Sequence, residues 1–227
     1  MPDSATTLSG EPATKPALVE ALGGKRGLID SGLPAVVFVL VNSVVQAFSS
    51  RDAALRAALV GAVLSGVAIL VLRLVRQETL QQAISGFFGL AIAVFFAARS
   101  GEARGFFLPG IFINIAYGAV FLGSALIGRP VVGAIYAAVD GLDKRWREDP
   151  RLRRIFAYAS VGWSLVFASR AVVQSVLYAL DRPGLLAAAK LLMGWPLTIA
   201  AVALTVGYVK RARSHPDLVA AATDRPR

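Results

Sequence analysis

Long apolar blocks separated by short polar segments dominate the chain. Six such blocks can be drawn, and none of them alternates strictly between apolar and polar positions. A helix needs about 20 residues to cross a bilayer core of about 30 Å, and each block reaches that length. The pattern therefore predicts an all-α polytopic membrane protein with six transmembrane helices, at Ser31–Ser50, Ala53–Val75, Thr79–Ala98, Gly105–Gly128, Ile155–Leu180 and Leu185–Val209.

The two ends of the chain are polar. Residues 1–16 are rich in Pro, Thr and Ser and lack the apolar core of a signal peptide, so they predict a disordered N-terminal tail. Residues 211–227 predict a polar C-terminal tail. The six-helix membrane domain is then 17–210.

The segment 129–154, between the fourth and fifth blocks, has a helical period of its own. Val131, Ile135, Val139, Leu142 and Trp146 share one face of a helix, with charged residues mainly on the other side. This predicts an amphipathic helix in the cytoplasmic interface, and the alternative is an ordinary helical linker. The residues expected at lipid headgroups are Lys25, Arg26, Lys144, Arg145, Trp146 and Arg147.

Charge favours a membrane partner over nucleic acid. The chain carries a net charge of +10 with only 17% charged residues, and its basic residues gather between the apolar blocks. Such clusters suit an anionic leaflet. An even number of crossings puts both termini on one side, and the segments on that side hold most of the Lys and Arg residues. The positive-inside rule therefore predicts a multi-pass protein of the bacterial plasma membrane with both termini cytoplasmic.

Two pairs of short motifs indicate an internal repeat. Leu33-Pro34 in the first block matches Leu108-Pro109 in the fourth, and Arg73-Leu-Val-Arg-Gln77 in the second matches Arg170-Ala-Val-Val-Gln174 in the fifth. A tandem repeat of three helices is inverted in the membrane, as in many secondary transporters. The pattern thus predicts an inverted 3+3 repeat, with chance similarity between apolar helices as the alternative.

Five motifs stand out as a set: residues 23–34 (GGKRGLIDSGLP), Arg129-Pro130-x-x-Gly133, Trp146-Arg-x-Asp149-Pro-x-Leu-Arg153-Arg154, Arg170-Ala-x-Val-Gln174 and Gly194-Trp195-Pro196. Together they resemble a bacterial family of integral membrane proteins known as a domain of unknown function, over roughly Leu18 to Val209. This resemblance implies a multi-span inner-membrane protein without an assigned reaction. More distantly, the layout is similar to intracellular septation protein A, which implies a role in envelope growth or division.

Arg170 is the strongest candidate for a functional residue. It lies inside an otherwise uncharged block, where a charge costs at least about 2.5–3.5 kcal/mol on insertion scales. Pro196 lacks an N–H, so the carbonyl of Leu192 loses its helical partner at a depth similar to that of Arg170. We therefore expect Arg170 to cap a helix break at Gly194 and Pro196.

Two roles for Arg170 remain open: a clamp between two helices, or a clamp that also binds an anionic group of a small-molecule substrate. The candidate substrate-binding residues are Arg170, Gln174, Asn42, Asn114 and Trp195. Lys190 lies near the end of its block, so we expect it to extend to the headgroups.

Motifs for catalysis are missing from the apolar blocks. The chain has no cysteine, and its only histidine, His215, lies in the C-terminal tail. We therefore expect no enzyme activity, no catalytic residue, no metal site and no cofactor. Two functions remain: a small transporter or permease, or a non-catalytic envelope or division-associated scaffold. A cavity containing Arg170 favours the first, and a solid core with Arg170 fully paired favours the second. The sequence does not specify the substrate or the oligomeric state.

Overall fold

The computed structural model describes residues 24–77, 80–140 and 144–214, and these are helical apart from short connections. Two 3-10 turns, Ala103–Phe107 and Lys144–Arg147, precede the fourth and sixth α-helices. The α-helices within the described residues are α1 (Gly24–Phe48), α2 (Arg51–Val75), α3 (Leu80–Ser100), α4 (Leu108–Leu126), α5 (Val131–Asp140), α6 (Pro150–Ala179), α7 (Pro183–Leu192) and α8 (Trp195–Ser214).

The residues at the helix starts explain where several helices begin. The hydroxyl of Ser50 accepts a hydrogen bond from the N–H of Ala53 at 3.3 Å and caps α2. The carboxylate of Asp149 accepts from the N–H of Arg151 at 2.8 Å, and Pro150 occupies the first helical position of α6. Both arrangements satisfy or remove donors that have no partner within the helix.

Four helical segments of the described chain are long and apolar enough to cross a bilayer: Arg51–Val75, Ala103–Leu126, Pro150–Ala179 and Pro183–Ala212. The apolar stretches described in α1 and α3, Gly32–Phe48 and Gly86–Ser100, are shorter. Large side chains such as Leu64, Phe88 and Leu204 are exposed on the outside of the bundle, as lipid contact requires. The structure therefore supports an all-helical, membrane-embedded protein with four spans by length and apolarity, compared with the six predicted.

Two antiparallel helix pairs form the body of the bundle. The pairs α1–α2 and α4–α6 make its most extensive contacts, and α7 packs against both α1 and α6. Close approach depends on small residues: the hydroxyl of Ser164 on α6 donates to the carbonyl of Gly118 on α4 at 2.9 Å. Packing between small residues is a principal source of helix association in lipid.

Aromatic clusters lie at the two ends of the bundle. At the end that holds the α3–α4 turn, Phe38 stacks on Phe106 with ring centroids 4.3 Å apart. At the opposite end, Phe156 and Val209 are fully buried beside Trp146. The cavity described below lies toward the first of these ends.

The segment 129–154 differs from the predicted continuous amphipathic helix. The structure has α5 and then the 3-10 turn Lys144–Arg147, with residues 141–143 outside the described part of the chain. Ile135 and Val139 are exposed on α5, as expected for a face toward lipid.

Trp146 is buried in the protein and does not face lipid headgroups, so that expectation needs correction. It is only 4% exposed and packs edge-on to Phe156 at 5.2 Å. The Trp146 ring fits against Gly133 because glycine has no side chain there. A Cβ on Gly133 would lie 2.6 Å from the Trp146 ring. The large ring removes more apolar surface from water in this notch than it would in the interface.

The predicted tails lie mostly outside the described residues. The disordered tail predicted for 1–16 lies there entirely, as do residues 215–227 of the predicted C-terminal tail. Helix α8 continues through 211–214, which the sequence pattern assigned to that tail.

Candidate functional site

Arg170 lies on α6 about 15 Å, or ten residues, below the end of the helix at Leu180. It is 9% exposed, although its side chain carries a charge. One terminal nitrogen, Nη2, donates to the carbonyl oxygen of Gly194 at 2.8 Å and to the hydroxyl oxygen of Thr198 at 2.7 Å. The acceptor is thus the carbonyl of Gly194, two residues beyond the expected Leu192.

The Gly194 carbonyl lies in a break between two helices. Helix α7 ends at Leu192 and α8 begins at Trp195. A side chain at Gly194 has no room, because its Cβ would lie 2.6 Å from the carbonyl oxygen of Lys190. Pro196 is in the first turn of α8, where its missing N–H leaves no helical bond unmade.

The guanidinium is only partly satisfied by the protein. Of its five N–H donors, Nη2 supplies the two hydrogen bonds above, while Nε is buried and has no acceptor. The ring of Phe167 lies 5.7 Å from Cζ and gives a weak further attraction. No carboxylate of the described residues pairs with Arg170.

A cavity of about 270 Å³ opens beside Arg170 between α1, α4, α6 and α7. Its polar lining consists of Asn114, Arg170, Gln174, Lys190 and Trp195, and its other described lining residues are glycine, alanine, methionine or aliphatic. None of the described lining residues is acidic. The site therefore combines two cations, two carboxamides and an indole, which together favour an anionic ligand.

The two carboxamides have different surroundings. Asn114 donates from Nδ2 to the carbonyl of Gly110 at 2.8 Å, so its own carbonyl oxygen stays available. Gln174 is 4% exposed, and its Oε1 lies 3.9 Å from the position of a Cβ on Gly110. Within the described chain its carboxamide makes no hydrogen bond, so Gln174 has donors and an acceptor free for a ligand.

Lys190 borders the cavity, and its extension to the headgroups stays a prediction. Much of the residue is exposed, but its ammonium nitrogen lies 5.9 Å from the ring centroid of Phe106 and 5.8 Å from that of Phe107. Both rings are themselves buried. The side chain thus points to the turn between α3 and α4, at the same end of the bundle as the cavity.

An ion-pair cluster holds that turn against the end of α6. Arg104 donates from Nε and Nη2 to the two carboxylate oxygens of Glu102, at 2.6 and 3.0 Å, and from Nη1 to the carbonyl of Tyr178 at 3.1 Å. Asp181 lies 3.8 Å from the same Nε. The hydrogen bond from Arg104 lowers the pKa of Glu102.

Four of the five substrate-binding candidates from the sequence meet in this cavity, and Asn42 does not. Asn42 is buried on α1 and donates to Oε1 of Gln46 at 3.4 Å, about two turns beyond the part of α1 that lines the cavity. The side chains of Lys25, Arg26, Lys144 and Arg145 lie outside the described part of the structure.

Arg147 is exposed, with its guanidinium carbon 5.5 Å from the Trp146 ring, so its contact with lipid headgroups stays a prediction.

Sequence reasoning missed Thr198. Thr198 follows Gly194 by one helical turn, and its hydroxyl donates to the Gly194 carbonyl at 2.7 Å while accepting from Arg170. The available signal in the sequence was the spacing of one helical turn between Thr198 and Gly194, the glycine at the helix break. Among the described residues, no group of three His, Cys, Asp or Glu side chains gathers to hold a metal ion.

A family model matches most of the chain. It covers residues 22–216, which include every helix described above and all the lining residues of the cavity. Comparison with curated proteins and with solved structures gives no match, so the similarity to intracellular septation protein A stays a prediction. The chain belongs to the family described as "Protein of unknown function (DUF3159)".

Proposed function

We propose that the protein is a small transporter or permease of a cytoplasmic membrane, with an organic anion bound at Arg170. The observation that carries this proposal is a guanidinium nitrogen, Nε of Arg170, which is buried without an acceptor beside a cavity whose described lining has no acid. A charge inside a membrane protein typically marks a substrate or ion pathway.

The partial pairing of Arg170 suits reversible binding. The Gly194 carbonyl and the Thr198 hydroxyl hold one edge of the guanidinium and orient it. The donors left over are Nε–H and the two N–H groups of Nη1, and such charged N–H groups form strong hydrogen bonds to a carboxylate or phosphate. Gln174 and Asn114 add neutral polar groups to the same cavity, and these can bind a ligand without adding charge.

The helix break supports transport over simple binding. Secondary transporters place their substrates where a helix is interrupted, because free backbone groups there can contact the ligand. In this protein the break at Gly194 borders the cavity directly. A helix break can also flex more readily than a continuous helix, which gives the site a means of opening.

An inverted 3+3 repeat is part of the proposal. In each half, the first two membrane-spanning helices form the most extensive pair, α1–α2 in the first half and α4–α6 in the second. Arg73 on α2 reaches α3, since its Nη1 lies 3.7 Å from a Cβ position on Gly86, just as Arg170 on α6 reaches Gly194. An experimental structure in lipid tests this part of the proposal. If its two halves do not superpose through a rotation about an axis in the membrane plane, the inverted repeat is wrong.

We extend the four apolar spans to six crossings. Helices α1 and α3 have 25 and 21 residues, and at 1.5 Å per residue both reach about 30 Å or more. Both termini then lie in the cytoplasm, with basic segments at anionic lipids. The chain has no cysteine, so single cysteines at exposed Glu148 and Arg182 can be labelled selectively. Labelling of both from the same side of the membrane contradicts this topology.

The non-catalytic envelope or division-associated scaffold is the second candidate. It requires a solid core with Arg170 fully paired, and the cavity and the unpartnered Nε argue against it. Both candidates are non-enzymatic and need no cofactor.

Ligand-dependent stability and flux test the proposal. Purified wild-type protein is melted against a panel of carboxylates, phosphates and amino acids, since a ligand at 100 times its Kd adds about 2.7 kcal/mol to the free energy of unfolding. We expect an anion to raise the Tm of wild type and of the exposed control Ser169→Ala, but much less that of Arg170→Lys, which keeps the charge and loses the planar fork.

Uptake of that anion into proteoliposomes then tests transport. Uptake by wild type and the control, with little by Arg170→Lys, supports a permease. Binding without uptake contradicts the transport step, and the absence of any stabilising anion contradicts the whole proposal.

A further inference from the structure

Lys190 is the second cation of the cavity lining, and the anion site at Arg170 does not by itself account for it. It lies on α7, one helical turn before Gly194, and its exposed side chain borders the same space as Gln174 and Arg170. The ammonium nitrogen of Lys190 lies within 6 Å of the ring centroids of Phe106 and Phe107.

Two carboxylates at this end of the bundle, those of Glu102 and Asp181, lie close to Arg104. Glu102 receives two hydrogen bonds from Arg104, and Asp181 lies 3.8 Å from the same guanidinium. Within the described chain Lys190 forms no salt bridge. The aromatic rings attract its charge, but they do not neutralise it. Two cations thus border one cavity, and no acidic side chain among the described lining residues balances either of them.

The two cations lie at different depths. Arg170 is anchored at the carbonyl of Gly194, below the end of α7, whereas Lys190 is four residues, or about 6 Å, nearer the start of α7. Side chains on a helix lean toward its N-terminus, which takes the ammonium group further from Gly194 and toward the α3–α4 turn. A ligand that contacts both cations therefore needs two anionic groups with a spacer between them.

The spacer has a matching environment. Besides its polar residues, the cavity is lined by small and aliphatic residues, including Ala35, Val36 and Ala187. These side chains offer an apolar surface to a short carbon chain and no hydrogen bonds to hydroxyl groups. The volume of about 270 Å³ suits a compact ligand of this kind.

We infer that the preferred ligand is a small organic dianion of the dicarboxylate class, with one carboxylate at Arg170 and the other at Lys190. This inference rests on the proposed anion site at Arg170 and adds Lys190 as the residue that distinguishes dianions from monoanions. Lys190 acts here as a binding residue that contacts the ligand directly.

Matched probes test the inference. Binding of succinate and of butyrate, which share a four-carbon chain and differ by one carboxylate, is measured by calorimetry on the full chain in nanodiscs of zwitterionic lipid. The neutral lipid removes anionic headgroups as competitors, and a second set containing phosphatidic acid measures that competition. The variants are Lys190→Gln, Arg170→Lys and the control Arg182→Gln, which removes an exposed charge near the start of α7.

We expect wild type and Arg182→Gln to bind succinate at least about tenfold more tightly than butyrate, the ratio given by one charge-assisted hydrogen bond. Lys190→Gln should lose this preference while it keeps its affinity for butyrate, and Arg170→Lys should weaken the binding of both probes.

Three results overturn the inference in distinguishable ways. If wild type binds both probes equally, or if Lys190→Gln retains the preference for succinate, the dianion assignment is wrong and the anion site at Arg170 stands. If phosphatidic acid abolishes the part of succinate binding that depends on Lys190, the anionic group at Lys190 is a lipid headgroup. The dicarboxylate assignment is then again wrong. If wild type binds neither probe nor any other anion, both the inference and the proposed function fail.

Discussion

Replacement of Gly194 by alanine tests the link between the helix break and the anion site. A Cβ at this position would lie 2.6 Å from the carbonyl oxygen of Lys190 and 3.3 Å from that of Leu191. Both neighbours are backbone atoms, so no rotamer change relieves the contact and the end of α7 has to shift. Such overpacking costs about 1–3 kcal/mol. The shift also displaces the Gly194 carbonyl to which Arg170 donates.

Gly207 offers a matched control in the same helical segment. A Cβ on Gly207, within α8, meets no atom within 4 Å. Alanine there should be neutral or stabilising by up to about 0.5–1 kcal/mol, because glycine loses more backbone entropy in a helix. The two Gly→Ala changes are chemically identical, so their opposite signs isolate the contact at Gly194.

Thermal unfolding in detergent gives the first measurement. For a chain of this size, 1 kcal/mol corresponds to about 2–4 °C in Tm. We therefore expect Gly194→Ala to melt several degrees below wild type and Gly207→Ala at or slightly above it. Anion affinity should fall in Gly194→Ala alone. Equal melting of the two variants would refute the close contact, and unchanged affinity in a destabilised Gly194→Ala would separate the break from the binding site.

Two further changes test other contacts. The fully buried hydroxyl of Ser160 accepts a hydrogen bond from the N–H of Val132 at 3.2 Å. Ser160→Ala should therefore lower the free energy of unfolding by about 1–3 kcal/mol, whereas Ser169→Ala, at an exposed position, should change it little. Equal effects of the two changes would contradict the assigned hydrogen bond. Because Arg104 lowers the pKa of Glu102, their pair stabilises the fold above the ordinary pKa of a glutamate, about 4.3, and loses this contribution as the pH falls through the lowered value. The Tm of wild type should then fall more than that of Glu102→Gln between about pH 5 and pH 3, and parallel curves would exclude the pair as a source of acid sensitivity.

The helices themselves were predictable from local pattern. The described residues of each predicted block are largely helical, because apolar runs of this length bury their backbone polar groups only as helices in lipid, but the sixth block is divided between α7 and α8. The start of α6 was not predicted: the fifth block began at Ile155, whereas Asp149 caps the helix and Pro150 is its first residue. The family follows from the same linear motifs.

The segment around Trp146 was not predictable from its period. The spacing of apolar residues gave Trp146 a place on an exposed amphipathic face, but the notch at Gly133 beside Phe156 buries it. A helical period predicts which residues share one face of a helix. It does not predict which other segment of the chain packs against that face.

The sequence alone determined that an arginine lies deep in a membrane helix and that a glycine and a proline interrupt another, since both statements concern one position and its local neighbours. Only the tertiary structure decided that Arg170 binds the Gly194 carbonyl and Thr198, that Gln174 and Asn114 share a cavity with it, and that Asn42 does not. It also placed Lys190 at that cavity, with its ammonium nitrogen near the rings of Phe106 and Phe107. The physical reason is that a cavity forms where several helices fail to fill the space between them, and this depends on packing between distant segments that no local pattern records.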